Sequence, residues 1–329
     1  MLAFRSINWV GFYSRMKRQK SILPALLSFS IVFAGCFPSV ADESSVQRGD
    51  EAILRGDLEA ALAEYKMAVR RGGSADPSAL GRVAHTYALI GNIDETGEFY
   101  SRAVKFDTDL VDQAVSDLVS LAQQAMNRSD FFGLATAMEI AKGLRPGITV
   151  DGMALPLARH YFDSGQYATA LSYYQSAISE DPEDTIPEVV FEAAEAYDQV
   201  GDCRRALIYY ERYREIVSSW MRGEVDWKIG NCSIQLAREL RSMGSDEEAL
   251  VHLERAVLIG EPRSLQSLAY FEIGEILSAQ SRCEEAMQAF LEVARADQTG
   301  TSPVVSRARW RYDELRFVGS LDAIGSVGC

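Results

Sequence analysis

The feature that most constrains this chain is the spacing of side chains around Gly165, in residues 151–182 (DGMALPLARHYFDSGQYATALSYYQSAISEDP). Leu157, Ala158 and Tyr161 precede the glycine by eight, seven and four residues, and Tyr167, Ala170, Tyr174 and Ala177 follow it by two, five, nine and twelve. Residues three, four and seven apart share one face of a helix, so the pattern predicts two short amphipathic helices meeting at a turn. Gly165 supplies the turn, because glycine enters the left-handed region that ends a helix without a Cβ penalty. The alanines let two helix axes approach while the tyrosines fill the space around them, and Pro182 stops the second helix.

One such unit cannot bury its apolar face alone and needs neighbours of the same kind. With the turn residue as ruler, the chain supplies them at Gly56, Gly91, Ser129, Gly165, Gly201, Gly244 and Ser281, spaced by 35, 38, 36, 36, 43 and 37 residues. The segments that follow each turn, such as GDLEAALAEYKMAV, GDCRRALIYYERYR and GSDEEALVHLERAV, share the same slots. A solenoid grows by adding units around one continuous core, so the 329 residues do not count domains.

These slots resemble the tetratricopeptide repeat (TPR), a helix-turn-helix unit of about 34 residues that stacks into a superhelix. The resemblance implies an all-α, right-handed superhelix of seven repeats over residues 46–298, closed by a capping helix at 299–318 and followed by a flexible tail at 319–329. The match is uneven. The leading tryptophan is absent, Ser129 and Leu134 stand where the family prefers glycine and alanine, and Thr96 takes that alanine slot in repeat two. Repeat six has Leu240 and Leu253 at aromatic slots and is preceded by seven extra residues, expected around 220–226.

Charge and motifs narrow the function. The formal charge is −14, and the first 35 residues carry Arg5, Arg15, Lys17, Arg18 and Lys20 with no acidic residue, so the rest of the chain is more acidic still. Phosphate-neutralising contact with nucleic acid is excluded on that balance. The sequence has no phosphate-binding GxxxxGK[ST], no HExxH, no GxSxG and no paired CxxC. His85, His160 and His252 fall in three different repeats without metal-ligand spacing, so no cofactor or metal is expected. Glu247-Glu248 and Glu284-Glu285 suit the first turn of a helix, where negative charge meets the helix dipole. Once the repeats are assigned, too few residues remain for a catalytic domain, and a cell-wall-processing enzyme built on such a superhelix is disfavoured for that reason.

The N-terminus reads as an export signal. Met16-Lys17-Arg18-Gln19-Lys20 is a positive region, 22–34 is an apolar run, and Met16 is the expected true start. Phe33-Ala34-Gly35-Cys36 resembles the bacterial lipobox, which implies lipidation of Cys36, a tether over 36–45 and, with Phe37 following, an outer-membrane address facing the periplasm. Ser39-Val40-Ala41 offers ordinary signal cleavage and a soluble periplasmic protein as the alternative. Cys203, Cys232, Cys283 and Cys329 remain. Cys203 and Cys283 occupy equivalent slots two repeats apart and are too distant to bond. Cys203 with Cys232, or Cys283 with Cys329, stays open, although Cys232 lies twelve residues before its turn, about 18 Å along a helix, and buried free thiols fit equally well.

Function then lies in the surface. In the family the first helix of each repeat lines a concave groove, and the residue six before the turn points into it. Here that row is Asp50, His85, Gln123, Arg159, Glu195, Arg238 and Glu275, and three places on are Ile53, Ala88, Met126, Phe162, Asp198, Arg241 and Ser278. Met126 and Phe162 predict an apolar stretch with polar flanks, suited to an extended polypeptide. The lysine and asparagine clamp for acidic C-termini is absent from the row. The expectation is a non-catalytic scaffold of the bacterial envelope that binds a protein partner and reaches the membrane through its lipid. A chaperone-like lipoprotein that helps assemble outer-membrane proteins is the alternative.

Overall fold

A computed structural model describes residues 40–72, 76–180, 186–260, 263–297 and 302–321, with side chains described for residues 45–317 within them. The expected signal, lipobox Cys36, Cys329 and the end of the tail lie outside the described residues. The described residues form fifteen α-helices in one α-solenoid. Their order is α1 (Val40–Leu54), α2 (Leu58–Gly72), α3 (Pro77–Ile90), α4 (Ile93–Ala103), α5 (Val111–Asn127), α6 (Phe131–Leu144), α7 (Ala154–Asp163), α8 (Tyr167–Glu180), α9 (Pro187–Gln199), α10 (Cys203–Ile216), α11 (Arg222–Ser242), α12 (Asp246–Ile259), α13 (Arg263–Ala279), α14 (Cys283–Ala296) and α15 (Pro303–Leu321). Each odd helix from α3 to α13 packs on the even helix that follows it, and each even helix from α8 to α14 packs on the next odd one. α1 starts at Val40, so residues 40–45 of the expected tether are helical.

One turn is used seven times. Gly56, Gly91, Gly165, Gly201 and Gly244 have φ between 73° and 90°, and Ser129 and Ser281 have φ of 58° and 60°. The next residue's N–H returns to a carbonyl five residues back in every case, as in Gln166 to Tyr161 (2.8 Å), Asp202 to Tyr197 (2.9 Å) and Arg282 to Leu277 (2.9 Å), which closes the first helix in a Schellman motif. Where that residue is Asp or Asn it also opens the second helix: the side chains of Asp57, Asn92, Asp130 and Asp202 accept from the N–H three residues on. A three-residue corner thus satisfies both helix ends and sets the antiparallel pair.

The core follows from small residues at two fixed slots. Seven before the turn stand Gly49, Ala84, Ala122, Ala158, Ala194, Ala237 and Gly274, all buried. Five after it stand Ala61, Thr96, Leu134, Ala170, Ala206, Ala249 and Ala286, each at 0% exposure. Large side chains fill the space nine after the turn, where Tyr65, Tyr100, Met138, Tyr174, Tyr210, Leu253 and Phe290 are buried. Thr96 fits a buried slot because its hydroxyl donates to the Asn92 carbonyl at 2.6 Å.

The seven extra residues of repeat six, expected around 220–226, lengthen α11 to 21 residues. They extend its C-terminal end: Lys228 meets Glu195 of α9, one repeat earlier, while lying sixteen residues before the turn at Gly244. The closing helix α15 docks through Val305, Ala308 and Leu315, whereas Trp310 is 63% exposed and faces away.

A non-glycine residue in the left-handed region costs about 1–2 kcal/mol. Nothing lies within 4 Å of a Cβ added at Gly165, so Gly165→Ala should lose about 1–2 kcal/mol from the backbone alone. Ser129→Gly should gain up to about 1 kcal/mol, less what glycine adds to unfolded-chain entropy. Denaturant unfolding of both variants checks the opposite signs.

Candidate interaction face

The row six before each turn forms a ladder that ties one repeat to the next. Arg82 Nε donates to Asp50 at 3.1 Å, His85 Nδ1 meets Asp117 at 2.7 Å, Arg159 grips Glu192 with Nε at 2.9 Å and Nη2 at 2.8 Å, and Lys228 reaches Glu195 at 2.9 Å. Further on, Arg238 meets Glu272 at 2.8 Å, joined by Arg241 at 3.4 Å, and Arg311 of α15 reaches Glu275 at 2.6 Å and donates to Ser278 at 3.3 Å. Each partner lies 32 to 36 residues along the chain, one repeat away on the next odd helix. The two-pronged guanidinium–carboxylate contact at Arg159 fixes geometry as well as charge.

Buried tyrosines hold this ladder from behind. Tyr65 donates to Asp50 at 2.6 Å, Tyr100 to Asp117 at 2.5 Å, Tyr174 to Glu192 at 3.1 Å and Tyr210 to Asp198 at 3.4 Å. The slot that fills the core therefore also delivers a hydroxyl to the face. Burial pushes the Tyr65 hydroxyl up to about 12, and the same cause raises Tyr100, Tyr174 and Tyr210, so all four remain donors at neutral pH. The guanidinium of Arg82 holds the Asp50 carboxyl below the usual carboxylate range. Asp117 is 9% exposed and accepts three bonds, from His85, Tyr100 and Gln113.

The ladder has one gap. Gln123 is exposed, and the residue 33 places on, where the other rungs have their partner, is Pro156 on α7. Proline offers no polar side chain. Beside this gap Met126 and Phe162 are half-buried and pack on the core between α5 and α8. Phe162 makes edge contacts with Tyr167 and Tyr174, at centroid distances of 5.2 and 6.4 Å. Phe162 is therefore a core-supporting residue with one exposed side, and its truncation disturbs helix packing as well as the surface. Ala88 is buried and presents nothing.

At the N-terminal end, Asp50, Ile53, Tyr65, Arg82, His85 and Tyr100 are among the residues lining an open cavity of about 450 Å³. Its charged and hydroxyl side chains fall in two groups, Asp50 with Tyr65 and Arg82, and Asp117 with His85 and Tyr100. Reading one row at a time missed Arg82, Asp117, Glu192, Lys228, Glu272 and Arg311; complementary charge one repeat apart was the signal that could have found them.

Cys203 and Cys232, one of the pairings left open by the sequence, are buried free thiols with their sulfurs 2.6 Å apart, because α11 runs past the start of α10. Asp198 lies 3.4 Å from the Cys232 sulfur, and Cys283 is disulfide-bonded.

His85 lies beside Asp117, which raises its pKa above the ordinary histidine value. A raised folded pKa contributes stability that is fully present below the unfolded value near 6.5 and is lost as pH rises through the folded value. Wild type should therefore lose stability relative to His85→Gln above about pH 6.5, by under about 1 kcal/mol because the ring is well exposed to screening solvent. Thermal melts of both proteins across pH 6 to 9 check this. Asp117→Ala strands the buried Tyr100 hydroxyl and should cost about 1–3 kcal/mol in the same assay.

Two family models match the chain, one described as "Tetratricopeptide repeat" over residues 155–218 and one as "Tetratrico peptide repeat" over residues 187–299. No curated protein matches it. Among solved structures, similarity is found to MamA protein (20% identity, 53% of this chain and 90% of that chain, TM-score 0.31). It is also found to a tetratricopeptide repeat protein from Parabacteroides merdae (14%, 83% and 98%, TM-score 0.29) and to yeast Tom70 (15%, 90% and 68%, TM-score 0.34). These superpositions leave the fold resting on the helices described above. Over residues 155–299 the chain matches the tetratricopeptide repeat, a unit of protein–protein interaction scaffolds.

Proposed function

We propose that this protein is a non-catalytic scaffold that binds a polypeptide partner along the face formed by its odd-numbered helices. The observation that carries the reading is the ladder itself: its charges are paired rung by rung, those at Asp50, Asp117 and Glu192 also against a buried tyrosine hydroxyl, except at Gln123, where Met126 and Phe162 bring apolar surface to the same place. A rigid, pre-arranged face with one apolar anchor and satisfied polar flanks suits an extended segment, because little side-chain ordering is left to oppose binding. Ion pairs already made within the face supply register and selectivity more than raw affinity.

The compartment belongs to the same proposal. The basic region before the apolar run at 22–34, and the Phe33-Ala34-Gly35-Cys36 sequence, support export, lipidation at Cys36 and a place at the outer membrane, where the partner would be another envelope protein. Among the described residues no helix is long and apolar enough to cross a membrane, so attachment in this reading runs through the lipid.

A photo-crosslinking amino acid at Gln123, compared with one at exposed Glu98 on α4, tests the face. One partner captured through Gln123 and not through Glu98 is expected; capture through Glu98 alone would overturn the assignment. With that partner in hand, Arg159→Ala should weaken binding several-fold while shifting stability by about 1 kcal/mol, since Arg159 is 46% exposed and Glu192 keeps the Tyr174 hydroxyl.

A further inference from the structure

The structure brings Cys203 and Cys232 together in a way that the groove reading does not use. Cys203 opens α10 in repeat five and Cys232 lies within the lengthened α11 of repeat six, with their sulfurs 2.6 Å apart. Asp198 Oδ1 lies 3.4 Å from the Cys232 sulfur and Gln235 Oε1 3.5 Å from the Cys203 sulfur. Two chemistries could use such a cluster, and distance separates them. Two thiolates on one tetrahedral zinc stand about 3.8 Å apart, from Zn–S bonds of about 2.3 Å. Disulfide sulfurs stand about 2.05 Å apart. The observed separation is more than 1 Å too short for the metal and about half an ångström from the covalent bond.

We propose that Cys203 and Cys232 are a reversible dithiol–disulfide pair that locks repeat five to repeat six. Cys203, 3% exposed, lies in the wall of an open cleft of about 400 Å³ lined also by Asp202, Arg204, Arg205 and Glu239, and this cleft is the approach for a small disulfide such as oxidised glutathione. In the first step the Cys203 thiolate attacks one sulfur of the reagent, a protein–reagent disulfide forms and one reagent thiolate leaves. In the second the Cys232 thiolate displaces the other reagent thiol and the Cys203–Cys232 bond closes. The two cysteines give up two protons and two electrons, which end on two reagent thiols. Asp198 Oδ1 accepts from the Cys232 thiol, and once the disulfide closes that donor is gone, which leaves the carboxylate with Tyr210 and Lys228 as its partners. The oxidation state thereby reaches a residue of the interaction face.

The full chain is incubated with excess oxidised glutathione or left untreated, then unfolded, alkylated with iodoacetamide and mapped by mass. The expected result is a linked Cys203–Cys232 peptide pair two mass units lighter than the dithiol, with a melting temperature a few degrees higher in the oxidised protein. The increase should vanish in both Cys203→Ala and Cys232→Ala; either variant alone suffices if the other does not fold, and the mapping needs neither. Full alkylation of both cysteines after oxidant treatment would overturn the proposal. So would one equivalent of zinc in the purified protein that shields both thiols until chelator removes it.

Discussion

The positive φ adopted once per repeat is the constraint on which the rest depends. It lets an N–H close the first helix and, at Asp57, Asn92, Asp130 and Asp202, lets the following side chain open the second within three residues. The residues seven before and five after each turn are buried together with the large residue nine after it, and where that residue is tyrosine, at Tyr65, Tyr100, Tyr174 and Tyr210, its hydroxyl reaches the first helix of its own or the next repeat. Core and surface are therefore products of one local geometry. Where the chain has serine in place of glycine, at Ser129 and Ser281, the corner keeps its shape and the backbone carries the cost.

The ladder shows how repetition becomes recognition. A lone exposed ion pair contributes little, because water and salt screen it and two long side chains must be held still. Here Asp50, Asp117, Glu192 and Asp198 also take a buried tyrosine hydroxyl, and Asp198 and Glu272 are each at 15% side-chain exposure, so at the enclosed positions losing a partner leaves a charge poorly solvated. The pairing gives the face one arrangement and removes free charge along most of its length. The Gln123 gap stands out by contrast, since Pro156 interrupts the series where Met126 and Phe162 supply apolar surface.

Elements that depend on residues close in sequence were legible beforehand. The turns, the alanine slots and the helix pairs all rest on short spacings such as those around Gly165. Positions on the face were legible too, because Asp50, His85 and Arg159 fall at one offset from their turns. Their partners were not: the contact of Arg159 with Glu192 depends on how two repeats stack, which no single repeat encodes. The same limit hid the Cys203–Cys232 contact. Counting along one helix placed Cys232 far from α10, while the added residues of α11 moved the turn and left the sulfur beside its neighbour. Phe162 was half legible, since its offset marks the face but its contacts with Tyr167 and Tyr174 belong to the core.

The central claim is that the odd-helix face meets the partner, and hydrogen–deuterium exchange on the full chain, with and without the captured partner, tests it most directly. The account predicts slowed exchange in α5 and α7, flanking Gln123 and Phe162, with α6 and α8 nearly unchanged on their outer sides. Protection confined to the even helices would contradict it.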